Sequence, residues 1–218
     1  FGGANLFLMN PAGIVFGPNA ALNVGGSVSF TTADYLRLTD GARFNAIAGP
    51  QDAAISSAPV AAFGFLGSNP AAIAVQGSQL AVAEGQGISL VGGNLTVQGG
   101  TLADTTIQPA RLSAPGGPIN LIAVASAGEV LTNAAAAPAD PTLNGFTSLG
   151  TISLTQGADV HTSAHTAGRI VIRSGQFTME NARLEASATA TAPTSPPSAS
   201  SAGGISVQAD NVNLLHGS

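Results

Sequence analysis

The sequence predicts an all-β protein, a right-handed parallel β-helix with three short strands in each coil and loops inserted between them. The first observation is alternation: apolar residues such as Ile88 and Leu90, and then Leu95 and Val97, flank single polar residues, as in half-buried strands. The second is that the turn-forming residues Gly, Pro and Asn interrupt these segments every few residues. The third is that no segment shows the period of an amphipathic helix. Short strands of this kind bury their apolar faces only by stacking on copies of themselves.

The composition narrows the classes of function. The chain has 218 residues, of which 44% are hydrophobic and only 8% charged, with 28 Gly, 13 Pro and no Cys. A net charge of −5 with six basic residues argues against nucleic acid as a partner, because no basic patch is present to neutralise phosphates. No apolar run approaches the ~18 residues of a membrane-spanning helix. The lack of cysteine suits an exported chain that crosses a membrane unfolded.

The opening stretch, residues 6–28, predicts one coil. The apolar run Leu6–Met9 is a strand, and residues 10–13 (NPAG) form a turn, because Pro fixes φ at its start and Gly supplies a positive φ at its end. Ile14–Phe16 is the second strand. Leu22 and Val24 alternate with polar or small neighbours and mark the third.

Further coils follow from the same alternation. Ile170, Phe177 and Leu184 follow one another at intervals of seven residues. Other coils open with a pair of alternating apolar residues just after a glycine. The irregular distance between these openings predicts a coil of roughly 20 residues with loops inserted at its corners. We expect the following residues to point into the core: Ile88, Leu95, Leu102, Ile119, Ile152, Ile170, Phe177, Leu184, Ile205 and Val212.

Three stretches interrupt the coils. Residues 46–71 are irregular and contain Pro-based breakers, and Phe63, Phe65 and Leu66 are expected to pack this excursion onto the main body. Residues 133–143 are Ala-rich and contain two prolines. Residues 186–202 are rich in Pro and Ser, which predicts an exposed, disordered loop.

The opening motif is also recognisable. Residues 6–28 (LFLMNPAGIVFGPNAALNVGGSV) resemble the NPNGI region of the filamentous haemagglutinin family, the exported partner of two-partner secretion. Residues 63–100 and 114–130 resemble the coils that follow it, and residues 150–218 resemble the family's more degenerate repeat. Ala12 replaces the motif's second Asn. The family's upstream NPNL motif and N-terminal cap do not occur, so we expect the chain to start inside the secretion domain.

The resemblance implies a function and a division of the chain. It implies that Asn10, Pro11, Gly13 and Ile14 are secretion-motif residues, although turn chemistry alone also explains Pro and Gly there. It implies export through an outer-membrane transporter with POTRA domains, to the outside or outer surface of a Gram-negative bacterium. Residues 1–132 would be the C-terminal part of a two-partner-secretion-like β-helix domain. Residues 133–218 would be continuing degenerate coils, with a disordered loop at 186–202.

The leading hypothesis is a structural and export module of a large filamentous haemagglutinin-like adhesin, which would bind a receptor or glycan on a cell surface. The first alternative is a subunit of an extracellular fibre built from copies stacked end to end. It is suggested by residues 211–215, which start a strand without a polar cap. That uncapped end also leads us to expect an internal piece of a longer exoprotein.

The second alternative is a polysaccharide-active enzyme with carboxylates clustered on one outer wall. Asp159, Arg169 and Arg173 could meet across adjacent coils, but no two aspartates occur as Asp-Asp or Asp-x-x-Asp. His161 and His165 could be metal ligands, but in a strand and turn context they need not converge, and exposed turn histidines are the preferred interpretation. We therefore predict no enzyme activity, no metal and no cofactor.

Overall fold

The computed structural model describes residues 3–49, 56–132, 141–189 and 203–215. The regular secondary structure in these ranges consists of β-strands only. None of the described residues forms a helix that could cross a membrane. The strands are β1 (Leu6–Met9), β2 (Ile14–Phe16), β3 (Val28–Thr31), β4 (Tyr35–Leu38), β5 (Arg43–Asn45), β6 (Val60–Phe65), β7 (Ile73–Gln76), β8 (Gln79–Ala81), β9 (Ile88–Gly92), β10 (Leu95–Gln98), β11 (Gly100–Thr101), β12 (Ile107–Gln108), β13 (Arg111–Ser113), β14 (Ile119–Ala123), β15 (Gly128–Leu131), β16 (Thr142–Asn144), β17 (Thr151–Thr155), β18 (Asp159–His161), β19 (Arg169–Glu180), β20 (Arg183–Glu185) and β21 (Gly204–Leu214).

The parallel strands stack into three faces that enclose one core. Face 1 consists of β1, β3, β9, β14 and the first part of β19. Face 2 consists of β2, β7, β10, β17 and the second part of β19. Face 3 consists of β8, β13, β18 and β20. From β3 to β20 the chain visits the faces in the order 1, 2, 3 in four successive coils, which confirms the predicted parallel β-helix with three-strand coils. In the first described coil, β1 and β2 are followed on face 3 only by the isolated bridge between Ala21 and Gln79.

Aliphatic ladders fill the space between the faces. On face 1, Ile88 pairs with Val28 on one side and with Ile119 on the other, and Ile119 pairs with Ile170. The other fully buried ladder residues share this inward orientation: Phe30, Leu90, Leu121, Ile172, Ile73, Val75, Leu95, Val97, Ile152, Leu154, Phe177, Leu80, Leu112 and Val160. Burial of each such side chain contributes about 1.5–3 kcal/mol to folding.

Six of the ten predicted core residues are fully buried: Ile88, Leu95, Ile119, Ile152, Ile170 and Phe177. Leu184 is half-buried and packs against the same core. Ile205 and Val212 continue the ladders, in register with Ile170 and Phe177. They remain 45% and 51% exposed, because no described strand pairs with the other edge of β21.

The prediction for Leu102 is wrong. Leu102 lies in the tip of the β11–β12 hairpin, where its N–H donates to the carbonyl of Thr106 at 2.9 Å. The hairpin interrupts the seven-residue spacing, and Leu112 on β13 takes the inward position on face 3 instead. The seven-residue rule therefore holds only where no insertion separates two faces.

The first insertion is more regular than predicted. Residues 60–65 form β6, the central strand of a five-stranded antiparallel sheet in the order β16-β15-β6-β4-β5. Phe63 and Phe65 pack this sheet against Val91 and Ile122, on the outer side of face 1, as expected from their apolar character. Leu66, in contrast, is 66% exposed.

The other two predicted loops are described only in part. Residues 133–140 and 190–202 lie outside the described residues, so the predicted disorder of residues 186–202 stays a prediction. Leu143 lies in β16 and joins the antiparallel sheet through Val130. Ala188 forms a parallel bridge with Ala164, which extends the coil stacking to the start of the third loop. The division of the chain at residue 132 also stays a prediction.

Candidate functional site

The four predicted secretion-motif residues form the corner between face 1 and face 2 of the first described coil. The Gly13 N–H donates to the carbonyl of Asn10 at 3.1 Å, and the side-chain oxygen of Asn10 accepts from the N–H of Ala12 at 3.1 Å. Pro11 holds the second position of this turn, where its fixed φ fits. Gly13 has a φ of +110°, a conformation that L side chains rarely adopt.

Backbone hydrogen bonds join both ends of this corner to the next coil. The N–H of Asn10 donates to the carbonyl of Thr31 at 2.9 Å, and the N–H of Ile14 donates to the carbonyl of Ala72 at 3.1 Å. Ile14 is 8% exposed and begins the face 2 ladder by pairing with Ile73. The motif therefore combines a tight turn with the first core residue of a new face.

Only part of the motif is accessible to a partner. Asn10 is exposed and Pro11 is half-buried, whereas Ile14 belongs to the core. Ala12 is exposed and makes its contact through its backbone N–H. This geometry explains why the position can differ from the family's Asn without changing the turn.

A polar cluster on the outer side of face 3 joins β13 to β18. The ring nitrogen Nε2 of His161 lies 2.8 Å from Ser113 Oγ and 3.1 Å from Arg111 Nη2. Its Nδ1 lies 3.3 Å from Asp159 Oδ2. Burial lowers the pKa of His161 and Arg111 lowers it further, against the opposing effect of Asp159, so the neutral ring is favoured. The single lone pair of Nε2 can then accept a hydrogen bond from Ser113 or from Arg111, and the cluster cross-links two coils.

The structure corrects the interpretation of His161. It lies in strand β18 with its side chain 12% exposed, not in an exposed turn. His165 is exposed, as predicted. Among the described residues, no three His, Cys, Asp or Glu side chains lie close enough together to hold a metal ion.

The structure does not bring together the residues of the predicted enzyme alternative. Asp159 lies on face 3, where its carboxylate is 3.5 Å from Arg111 Nε. Arg169 and Arg173 lie in the part of β19 that belongs to face 1. There the guanidinium of Arg173 donates to Ser206 Oγ at 3.1 Å and to the carbonyl of its neighbour Ile172.

A second polar cluster, which the sequence did not reveal, lies in the antiparallel sheet and links the insertion that contains β4, β5 and β6 to the insertion that contains β15 and β16. Arg37 on β4 and Glu129 on β15 form a bidentate ion pair, with Nη2 2.8 Å from Oε2 and Nε 3.0 Å from Oε1. The Tyr35 hydroxyl donates to Glu129 Oε1 at 2.8 Å. The bond from Arg37 holds the pKa of Glu129 below its usual value. Burial and the neighbouring Glu129 raise the pKa of Tyr35.

Glu129 predicts a pH dependence of stability. Its folded-state pKa lies below the unfolded value, so its contribution is complete above the unfolded pKa and is lost as the pH falls through the folded pKa. We expect Glu129→Gln to lower the melting temperature at neutral pH and to weaken its decline in acid. Thermal unfolding followed by circular dichroism from neutral pH to about pH 3 measures both effects. Glu84→Gln, at an exposed position, is the control and should change neither the melting temperature at neutral pH nor its decline in acid. If the melting temperatures of wild type and Glu129→Gln declined equally in acid, Glu129 would not be the source of the pH dependence.

Comparison with known protein families assigns residues 1–179, most of the chain, to the TPS secretion domain. The chain belongs to this two-partner-secretion family. Neither the curated proteins nor the solved structures contain a match to it. Membership implies a secreted exoprotein that is exported through the outer membrane with a dedicated transporter as its partner, consistent with the filamentous haemagglutinin family. The TPS secretion domain is an exoprotein module rather than an enzyme family, and the corner at residues 10–14 lies inside the matched region.

Proposed function

We propose that this TPS domain is the structural and export module of a large surface-exposed or secreted adhesin. It would be recognised by the POTRA domains of its outer-membrane transporter, pass the pore unfolded and fold outside the cell. The observation that carries the proposal is the family match over residues 1–179, which falls on a coil-by-coil parallel β-helix.

Nearest-neighbour pairing supports folding during export. Each strand of a face pairs only with the strands of the adjacent coils, as β14 does with β9 and β19. A coil that emerges from the pore can therefore fold on the coil before it, and the buried ladder residues oppose its return. The absence of cysteine and the 8% content of charged residues suit passage through a narrow pore.

The secretion-motif residues would support export by fixing the first corner. We expect Gly13→Ala to destabilise the fold by about 1–2 kcal/mol and to reduce secretion, because Ala must adopt a positive φ there. Asn10→Ala should have a smaller effect, since it removes one turn hydrogen bond. Immunoblots of culture medium and cells measure secretion, and melting of the purified variants measures stability.

Ala12→Asn is the matched control for these variants, because it restores the family residue at an exposed position and should leave secretion unchanged. A drop in secretion of Asn10→Ala without any loss of stability would show that the transporter reads the side chain directly. Normal secretion of both Gly13→Ala and Asn10→Ala would contradict a role for this corner in export.

A binding assay with purified components tests recognition by the transporter separately from secretion by cells. The purified periplasmic POTRA part of the partner transporter is mixed with the chain, either native or freshly diluted from urea, and complex formation is followed by size-exclusion chromatography. We expect a complex with the freshly diluted chain. The absence of a complex in both states would contradict recognition by POTRA domains.

The exposed edge of β21 favours a second proposal, that another coil covers this end of the ladders. Its inward row, Ile205, Val207, Val212 and Leu214, is between 39% and 64% exposed. The covering coil would come from further chain or from another copy stacked end to end. Sedimentation of the 218-residue chain tests the stacking form: association that is lost in Val212→Lys supports it, and a stable monomer contradicts it.

A further inference from the structure

A groove runs between the outer side of face 1 and the antiparallel insertion sheet. It encloses about 180 Å³, and strands β3, β9 and β14 form its floor, whereas β6 and β15 form one wall. This space is smaller than the roughly 300–1,000 Å³ of sites for drug-sized ligands, so it fits a single small ring. None of the described side chains that line it carries a charge.

The floor is a row of polar side chains in strand register. Ser29, Ser89 and Asn120 are directly paired partners on neighbouring strands, so their side chains leave the same face about 4.8 Å apart. The amide nitrogen of Asn120 donates to Ser89 Oγ at 3.1 Å. The amide oxygen Oδ1 of Asn120 is buried and has no hydrogen-bond partner among the described residues. An unpaired buried acceptor lowers the stability of the fold, which points to a donor from outside the described residues.

The side walls are apolar and partly aromatic. Phe7 on β1 is 40% exposed, and its ring centroid lies 6.4 Å from that of Phe63 on β6. Val60 and Val130 extend the same wall. The groove therefore presents an aromatic surface beside a row of hydroxyl and amide groups.

This combination selects the chemistry of the ligand. A carboxylate, sulfate or phosphate would lose its hydration in the groove without meeting a cation. A purely apolar group would leave the Asn120 oxygen without a donor. A sugar ring carries an apolar face that packs on an aromatic ring and hydroxyls that both donate and accept.

We propose that this groove binds one ring of a neutral saccharide, with the ring face on Phe7 and a ring hydroxyl donating to Asn120 Oδ1. The groove lies between two elements of the folded domain, so this proposal rests on the fold and not on the proposed role in export. It gives the folded domain a binding activity in addition to its passage through the transporter.

Nuclear magnetic resonance titration of the isotope-labelled 218-residue chain tests the proposal. The probes are galactose, glucose, mannose and N-acetylglucosamine, with glucuronic acid and sialic acid as charged comparisons. We expect at least one neutral sugar to shift the side-chain amide signal of Asn120 and the backbone signals of Ser29 and Ser89, with a Kd of about 1 mM. No shift at saturating sugar, shifts confined to other surfaces or preference for the acidic sugars would each overturn it.

Variants separate a built site from weak general binding. Asn120→Ala removes the free acceptor, and Phe7→Leu removes the aromatic ring but keeps an apolar side chain. Each should weaken binding about tenfold, the change expected when one good contact is lost. Ser153→Ala, at an outward position on face 2, is the matched control and should bind as wild type does. Unchanged affinity in both groove variants, once their native-like spectra are established, would overturn the proposal.

Discussion

Ile170→Asp is expected to destabilise the protein by about 4 kcal/mol or more, because it places a carboxylate in a dry aliphatic ladder. Ile170 is completely buried and pairs with Ile119 on one side and Ile205 on the other. A domain of this kind has a total stability of about 5–15 kcal/mol, so much of it would be lost. The free energy of unfolding from urea titration measures the effect.

Val15→Asp provides the matched control for this substitution. Val15 lies on β2, is 70% exposed and points away from the core, so a carboxylate there stays in water. We expect its unfolding free energy to stay close to that of the wild type. If Ile170→Asp were no more destabilising than Val15→Asp, the inward register of face 1 would be wrong, since a shift of one residue exchanges the two sides of a strand.

Gly168→Ala is expected to cost about 3 kcal/mol or more, although it adds a single methyl group. A Cβ at Gly168 would lie 1.8 Å from the carbonyl oxygen of Gly117 in the coil below, and one at Gly117 would lie 1.9 Å from that of Gln86. These contacts are with backbone, which can move only by separating the coils. The corner between face 3 and face 1 thus requires glycine in successive coils.

Gly204→Ala is the control for the corner variant. A Cβ at Gly204, at the start of β21, would meet no atom within 4 Å. Urea titration of both variants should show a large loss for Gly168→Ala and a small change for Gly204→Ala. Equal unfolding free energies would mean that the coils are not packed as closely at this corner as the structure indicates.

The sequence predicted the parts of the fold that depend on local pattern. Alternation of period two identifies the inward residues of a strand wherever two faces follow each other directly, as in Ile170 and Phe177 on β19. The turn at residues 10–13 was also predictable, because Pro and Gly have fixed conformational preferences at those positions. The ion pair and the groove have no such local signal.

Features that depend on how insertions fold back could not be predicted. Leu102 follows the seven-residue spacing, but it lies in the tip of the β11–β12 hairpin, where it is half-buried and outside the main core cluster. Arg37 and Glu129 are 92 residues apart and meet only because two insertions pair in one antiparallel sheet. His161 alternates with Val160 as an outward residue, but its burial comes from neighbouring coils. The groove likewise exists only after the insertion sheet packs on face 1.

The most direct test of the central claim is export of this chain through its own transporter. The chain, placed behind a signal that delivers it to the periplasm, is produced in a Gram-negative host with and without that transporter, and the protein in the medium is quantified. We predict release of folded chain only when the transporter is present, and strongly reduced release of Ile170→Asp, whose coils cannot stack to oppose its return. Equal amounts in the medium with and without the transporter, or retention in the periplasm in both cases, would contradict the proposed function.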